Sequence, residues 1–348
     1  MKRVKVGIIG ANGYGGAELI RLLHQHPNVE IEMLISNSTK GSLLTDQYKH
    51  FHYIFEKSLE EWNPDEIQSK VDVLFFATPS GVSKEIIPQL IERDIICIDL
   101  SGDFRLKDEY LYEKWYKNKS ANIEDLQKSV YGLTEINRNE IKKATLIANP
   151  GCYPTATLLG LAPILKANVI NMNSIIIDGK SGVSGAGRKP NVGSLFSEVN
   201  ENVTAYKLGK HQHIPEIEQE IQNICGFPAT VTFTTHLIPM TRGIMCTIYA
   251  NLKKNMSLEE MLELYQETYL EESFIRIRPK DKLPSTKEVY GSNYCDIGLN
   301  VDERTGRITI ISVIDNLVKG AAGQAIQNLN VIAGWDERTG LNGIPIYP

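Results

Sequence analysis

Cysteine is scarce in this chain, five residues in 348, and no two of them form a C-x-x-C pair. So few cysteines exclude a disulfide-built scaffold and point to a reducing compartment, so a cytoplasmic protein is expected. Charge of one sign is not concentrated: 37 Lys and Arg stand against 42 Asp and Glu, a net charge of −5. A nucleic-acid partner would require a Lys/Arg-rich face, and no basic block is present. No apolar run approaches the roughly 20 residues that cross a bilayer. The opening MKRVKVGIIGANGYGG has basic residues and a short apolar run. Its glycines break that run early and no small-residue cleavage site follows, so a signal peptide is not expected. Repeats, low-complexity stretches and linkers are lacking as well. What remains is an ordinary globular composition, 42% hydrophobic and 23% charged, long enough for two domains.

The first half alternates two periodicities. Short apolar runs at 4–11, 30–36, 71–77, 95–101 and 144–149 read as buried strands, with helical patterns at 17–26 and 82–93 between some of them. Near-continuous apolar strands separated by helices predict an α/β fold, a doubly wound parallel sheet covered on both faces. After Cys152 the rhythm changes to α+β. A helix is expected at 155–167, followed by strands at SIIIDGK, ATVTFTTHLIPM and GIMCTIYANL. The last two alternate in polarity around a short turn at Thr241–Arg242, which predicts an antiparallel pair. Ser257 and Glu260 form a capping box that opens another helix. A strand at 307–315 and an apolar helix at 320–334 close the chain. The predicted organisation is a dinucleotide-binding domain over 1–151, an α+β domain over 152–315 and a helix in 316–348 that returns to the first domain.

GANGYGG places Gly10, Gly13 and Gly16 directly after the first strand and at the start of a helix. Glycine permits the tight turn and the approach of a pyrophosphate to a helix N-terminus. The spacing is a variant of the usual fingerprint, and a packing turn is the alternative. After the second strand, an NAD site would carry an acidic residue for the ribose hydroxyl. Here Ser36, Asn37, Ser38, Thr39 and Lys40 suit a 2′-phosphate, so NADP is expected, against a solvated polar turn. DGKSGVSGAGRKPN nearly matches a phosphate-binding loop but lacks the required Lys-Ser/Thr pair. A cationic loop for an acidic substrate and a tight surface turn both remain open.

Cys152, in ANPGCYPTAT, follows a strand and a Pro-Gly turn, with Pro154 expected at the first position of a helix. A thiol there lies at the positive end of the helix dipole, which favours the thiolate. Cys97, Cys246 and Cys225 read as buried small hydrophobes, and Cys295 is undecided. The base for a nucleophilic thiol is sought in KHQHIPEIEQEIQ, where His211 and His213 precede a helix. If that segment is extended, the two rings point the same way. A metal pair lacks a third ligand at motif spacing, and solvated turn histidines are the remaining alternative. Thiolate, base and nicotinamide together permit one chemistry, reduction of an activated acyl group through a thioester.

Those blocks, together with ATPSGVS, DLSGDFR, YGLTEINR, HLIPMTRGI and DNLVKGAAGQAIQNLN, closely resemble the N-acetyl-gamma-glutamyl-phosphate reductases of arginine biosynthesis over essentially the whole chain. The resemblance implies a Rossmann-type NADP domain, an α+β catalytic and dimerisation domain, and a homodimer or homotetramer. It makes Cys152 the nucleophile; of the two histidines, His213 is preferred over His211 as base because it lies nearer the helix start. Asn12 and Tyr14, the turn Thr78, Pro79, Ser80 and Gly81, and the later Ser181, Gly182, Asn316 and Gly320 become cofactor residues. Arg105 is expected at the acyl phosphate, Asn149 among the substrate-binding residues, and Arg188 and Arg242 at the substrate carboxylate. Three rivals share parts of the pattern. Aspartate-semialdehyde dehydrogenase lacks NPGCYPT, a carrier-protein-dependent reductase of lysine biosynthesis calls for a basic docking face, and a dinucleotide sensor forms no acyl-enzyme.

Overall fold

A computed structural model describes residues 3–36 and 39–348. The chain divides into two compact units, 1–150 with 321–342, and 151–320 with 343–348.

The first unit is built on six strands, β1 (Val4–Ile9), β2 (Val29–Ile35), β3 (Val73–Phe76), β4 (Ile96–Asp99), β5 (Val130–Tyr131) and β6 (Leu146–Ala148). They lie in the order β2-β1-β3-β4-β6-β5 and every pairing is parallel. The expected doubly wound sheet is therefore present. β5, only two residues long, leaves no periodic signal in the sequence. Ile9, Leu74, Phe76, Cys97 and Leu146 from the sheet pack with Ile67, Ile87 and Leu90 from its helices. The chain leaves β1 towards β2 on one side and then crosses to β3 on the other. In such sheets, ligands bind at the strand C-termini where the direction reverses.

The second unit carries β7 (Ile176–Ser181), β8 (Thr204–Tyr206), β9 (Thr232–Leu237), β10 (Ile244–Asn251), β11 (Ile275–Ile277), β12 (Cys295–Asp302) and β13 (Arg307–Ile314). Their order is β11-β12-β13-β10-β7-β9-β8. This corrects the predicted hairpin of β9 and β10. β7 lies between them, antiparallel to β10 and parallel to β9. Residues 238–243 are long enough to cross one intervening strand, at about 4.8 Å per strand spacing. Alternating polarity identifies a half-buried strand without naming its neighbour.

Helix Cys152–Lys166 is buried from Tyr153 to Leu165, the all-round burial of a core helix. Pro163 inside it cannot donate to the Leu159 carbonyl, and the Tyr269 hydroxyl donates there instead. Tyr265 donates to the Gly160 carbonyl at 2.6 Å. Both tyrosines come from helix Leu258–Thr268 and its end. That helix opens with the predicted capping box: Ser257 Oγ accepts the Glu260 N–H and Glu260 Oε2 accepts the Ser257 N–H.

Candidate active site

Helix Cys152–Lys166 begins one turn earlier than the sequence pattern implied, with Gly151 as N-cap. Cys152 is thus its first residue and Pro154 its third, which corrects the placement of Pro154. The proline loses nothing there. The first helical bond runs from the Thr155 N–H to the Gly151 carbonyl at 2.9 Å, so earlier positions have no carbonyl to reach. Cys152 is partly exposed, whereas Cys97, Cys246 and Cys295 are buried. Cys225 is also partly exposed beside its left-handed C-cap Gly226, contrary to the expectation of burial.

Cys152 is backed by Gly320, within the π-helical turn Val318–Ala322. A Cβ at Gly320 would stand 2.8 Å from Cys152 Cβ and 3.2 Å from its Cα. Glycine is required here for close approach, and the residue packs on Cys152 within the same unit, a role the sequence did not indicate.

Helix His213–Cys225 packs against the cysteine helix. Its Glu216 is fully buried, and Oε1 accepts the Gly151 N–H at 2.8 Å. One carboxylate therefore ties the N-cap before Cys152 to the helix that carries His213 one turn earlier. Sequence reasoning missed this role, because nothing in HIPEIEQ distinguishes Glu216 from its exposed-type neighbours. The segment 211–213 is a turn and is not extended, since Gln212 is in the right-handed helical region. The two rings still lie side by side, with centroids 4.7 Å apart. The His213 N–H donates to His211 Nδ1 at 3.2 Å, so neutral His211 carries its proton on Nε2. Tyr153, Tyr206 and Phe233 enclose His211 edge-on. Burial, then the Lys207 charge, pulls its pKa down to about 3. His211 is therefore neutral throughout the ordinary working range.

Arg242 follows β9 and lies 3.6 Å from the buried carboxylate of Asp315, with its guanidinium over the Tyr290 ring. Arg188 is exposed, just beyond Gly187. Ser181 and Asn316, expected at the cofactor, have local partners in this unit. Ser181 Oγ donates to the Gly182 carbonyl. Asn316 accepts the Gly243 N–H at 2.7 Å and donates to Ser184 Oγ at 3.0 Å. Gly182 packs against the 240–242 backbone, where a Cβ would meet Thr241 O at 2.8 Å. These residues brace the loop after β7.

In the first unit the two predicted cofactor turns come together. Gly10 has φ +83°, and a Cβ on it would lie 2.4 Å from Ala77 O, beside Thr78. Gly13 caps helix Tyr14–Leu23, whose first turn contains no acidic residue. The Thr78 hydroxyl is buried without a hydrogen-bond partner among the described residues. A glycine turn at a helix N-terminus, free of local negative charge, fits a pyrophosphate. Tyr48 donates to the Asn12 carbonyl. Ser36 is buried at the end of β2 with its hydroxyl 2.9 Å from that of Thr39. Lys40 is exposed and pairs with Glu61 at 3.1 Å, an exposed pair worth at most about 1 kcal/mol and easily exchanged for a phosphate. Asn37 and Ser38 lie outside the described residues.

Arg105 and Asn149, expected at the substrate, both have internal hydrogen-bond partners. Arg105 is buried, donating from Nε to the Asn149 carbonyl at 2.9 Å and from Nη2 to the Leu100 carbonyl at 2.8 Å. Asn149 is fully buried; it donates to the Ala321 carbonyl and accepts from Asn328 Nδ2, both at 3.1 Å.

The rest of DLSGDFR holds the turn at 78–81. Asp103 accepts the Gly81 N–H at 2.7 and 2.9 Å, and Gly102 N–H donates to Ser80 Oγ. Ser83 Oγ bridges Asp103 and Asp99 at 2.9 and 3.0 Å, and Tyr112 donates to Asp103 at 2.6 Å. Burial and then the Asp103 charge raise the Asp99 carboxyl from 3.8 to about 7. The folded protein therefore keeps a proton that the unfolded chain releases, so stability falls as pH rises from about 4 to about 7. Asp99→Asn copies the neutral acid and is expected to remove this slope. Its melting temperature relative to the parent should rise between pH 5 and pH 8, and a difference that does not change with pH would contradict the assignment.

Comparison with known proteins decides the family. Residues 5–144 match the semialdehyde dehydrogenase NAD-binding domain model, and residues 152–316 match the semialdehyde dehydrogenase dimerisation domain model. An N-acetyl-gamma-glutamyl-phosphate reductase of Geobacillus sp. strain WCH70 is 56% identical over 99% of this chain and all of that protein. The chain belongs to the N-acetyl-gamma-glutamyl-phosphate reductase family. A member of this family from Bacillus cereus is 52% identical over the same shares of the two chains. Among solved structures, aspartate semialdehyde dehydrogenase II of Vibrio cholerae superposes with a TM-score of 0.73, at 19% identity over 96% of this chain and 99% of that one. The Candida albicans enzyme with NADP gives 0.69 at 16% identity, over 95% and 99%. At those identities the likeness is one of fold. The family carries a nicotinamide-dinucleotide-binding domain, and no helix among the described residues is long and apolar enough to cross a membrane.

Proposed function

We propose that the chain reduces N-acetyl-L-glutamyl 5-phosphate to the 5-semialdehyde with NADPH, releasing phosphate. The observation that carries the reading is Cys152 at a helix N-terminus, joined through Gly151 and Glu216 to the helix of His213. His213 takes the thiol proton, and the thiolate attacks the acyl carbon. The carbon–oxygen bond to phosphate breaks, leaving a thioester on Cys152. When bound, the nicotinamide cofactor supplies the hydride that reduces this thioester. His213 gives its proton to the developing oxygen, then recovers it as the thiohemiacetal expels the thiolate and the aldehyde leaves. His211, held neutral, orients His213 through the backbone bond. Arg242 and Arg188 bind the substrate's free carboxylate. Gly10, Gly13 and Gly16 receive the pyrophosphate, and Lys40 the 2′-phosphate.

Self-association into a homodimer or homotetramer is part of the reading. It is supported by the dimerisation-domain match and by exposed Val192, Phe196 and Val203 in the excursion before and around β8. A cytoplasmic location accords with the free cysteines.

The test is an assay of acetylglutamyl phosphate against aspartyl phosphate, with NADPH and NADH in parallel. Acetylglutamyl phosphate with NADPH is expected to be preferred by at least about tenfold on each axis, a difference of roughly 1.4 kcal/mol. A preference for aspartyl phosphate sinks the substrate assignment. For the cofactor, Ser36→Asp is expected to shift the preference towards NADH, because a carboxylate repels the 2′-phosphate and accepts from the ribose hydroxyl. Equal efficiency of the parent with both cofactors counts against NADP.

A further inference from the structure

Asp315 has no place in the chemistry above, yet it is fully buried at the end of β13. Its Oδ1 accepts the N–H groups of Leu317 and Val318 at 2.8 and 3.1 Å. Oδ2 accepts the Gly291 N–H at 2.8 Å and lies 3.6 Å from Arg242 Nη1. Its main-chain carbonyl accepts the Gly320 N–H at 3.0 Å. One carboxylate thus faces two ways. One oxygen seats the turn whose Gly320 presses on Cys152, while the other meets the guanidinium of Arg242.

The Arg242 side has its own support. The guanidinium lies over the Tyr290 ring, 5.8 Å from its centroid. The Tyr290 carbonyl accepts the Ile346 N–H at 2.9 Å, so the tail 343–348 packs on the same loop. A buried carboxylate needs its N–H donors and its cation, so the turn and Arg242 are each held by Asp315.

We infer that Asp315 is a positioning residue of the reaction: it aims Arg242 at the free carboxylate of the substrate and seats the 317–320 turn behind the nucleophile. The first half rests on the reading of Arg242 given above, whereas the second does not. Catalysis tolerates little misplacement, because reacting atoms must meet within about 3–3.5 Å.

The test pairs Asp315→Asn with Arg242→Gln and reads two quantities. One is KM for acetylglutamyl phosphate, and the other is the rate of iodoacetamide alkylation of Cys152 without substrate, followed by peptide mass spectrometry. Asp315→Asn puts an amide N–H where two donors already converge, whichever way the side chain is turned. It is expected to raise KM at least about tenfold and to change the alkylation rate severalfold, with NADPH affinity unchanged. Arg242→Gln is expected to raise KM by a similar factor and leave alkylation at the parent rate, since Asp315 still holds the turn. In the double variant KM should equal that of Asp315→Asn alone, the non-additivity of a shared interaction.

A folded Asp315→Asn protein with parental KM and alkylation rate overturns the proposal, as do effects that multiply in the double variant. If Asp315→Asn does not fold, Arg242→Gln decides. A parental KM overturns the proposal, and so does a changed alkylation rate, because the turn would then not be held by Asp315. A parent protein that does not reduce acetylglutamyl phosphate refutes the functional reading instead, and the alkylation rates still judge the seating of the turn.

Discussion

Replacing Cys152 by alanine is expected to leave a folded protein that still binds NADPH and no longer reduces the acyl phosphate. The loss should be on the order of 10⁴-fold or more, the scale on which removal of a covalent nucleophile acts. Two features of the structure set this apart from an ordinary core cysteine. Cys152 is partly exposed on the first residue of a helix, whereas Cys97, Cys246 and Cys295 are buried in strands. Burial raises the Cys97 and Cys246 thiols, Cys246 to about 12, so neither offers a thiolate near neutral pH. Alkylation should accordingly fall on Cys152 long before Cys97, Cys246 and Cys295, and a substrate-derived thioester should be trappable on its peptide in the parent. Substantial turnover by a verified Cys152→Ala preparation would refute the thioester route, and selective labelling of Cys246 would refute the ranking of the thiols.

The second large effect is expected at His213. His213→Asn should lower turnover by roughly 10²–10⁴-fold, the usual contribution of a positioned acid–base group. The acidic limb of the pH–rate profile should disappear with it. His211 cannot supply that limb. Its folded pKa of about 3 lies below the 6.5 of the unfolded state, so it is neutral wherever the enzyme works. The same shift makes an acid-stability prediction. The stability His211 contributes is complete above about pH 6.5 and is lost as pH falls towards 3, because the unfolded chain takes up the proton first. His211→Asn should therefore flatten the acid limb of the stability profile while leaving the acidic limb of the rate profile in place. Loss of the rate limb in His211→Asn, with a nearly silent His213→Asn, would exchange the two roles.

Much of this molecule is legible in its sequence. The apolar runs that became β1 to β4 and β6 carry their period locally, as does the capping box at Ser257 and Glu260. The glycine turn after β1 was also readable, because φ +83° at Gly10 is a demand on one residue. Each rests on neighbours within a few positions, where backbone geometry translates directly into residue choice. Pairing across the sheet was not legible. β9 and β10 are consecutive and alternate as a hairpin does, but β7 separates them, because partner choice depends on which backbone fills the space between. The roles of the polar residues in the motifs were likewise decided in three dimensions. Nothing in DLSGDFR or NPGCYPT tells that Arg105 and Asn149 are each buried with backbone or amide partners. Glu216 and Asp315 look like ordinary acids in sequence, yet each is fully buried on backbone N–H groups beside the Cys152 helix or the turn behind it. The sequence by itself determined the chemistry available, a thiol at a helix start, a histidine pair and a glycine cradle, since those depend on residue type and local turn. Only the tertiary structure decided which polar groups face outward and which hold the frame, since hydrogen-bond partners distant in sequence are set by packing.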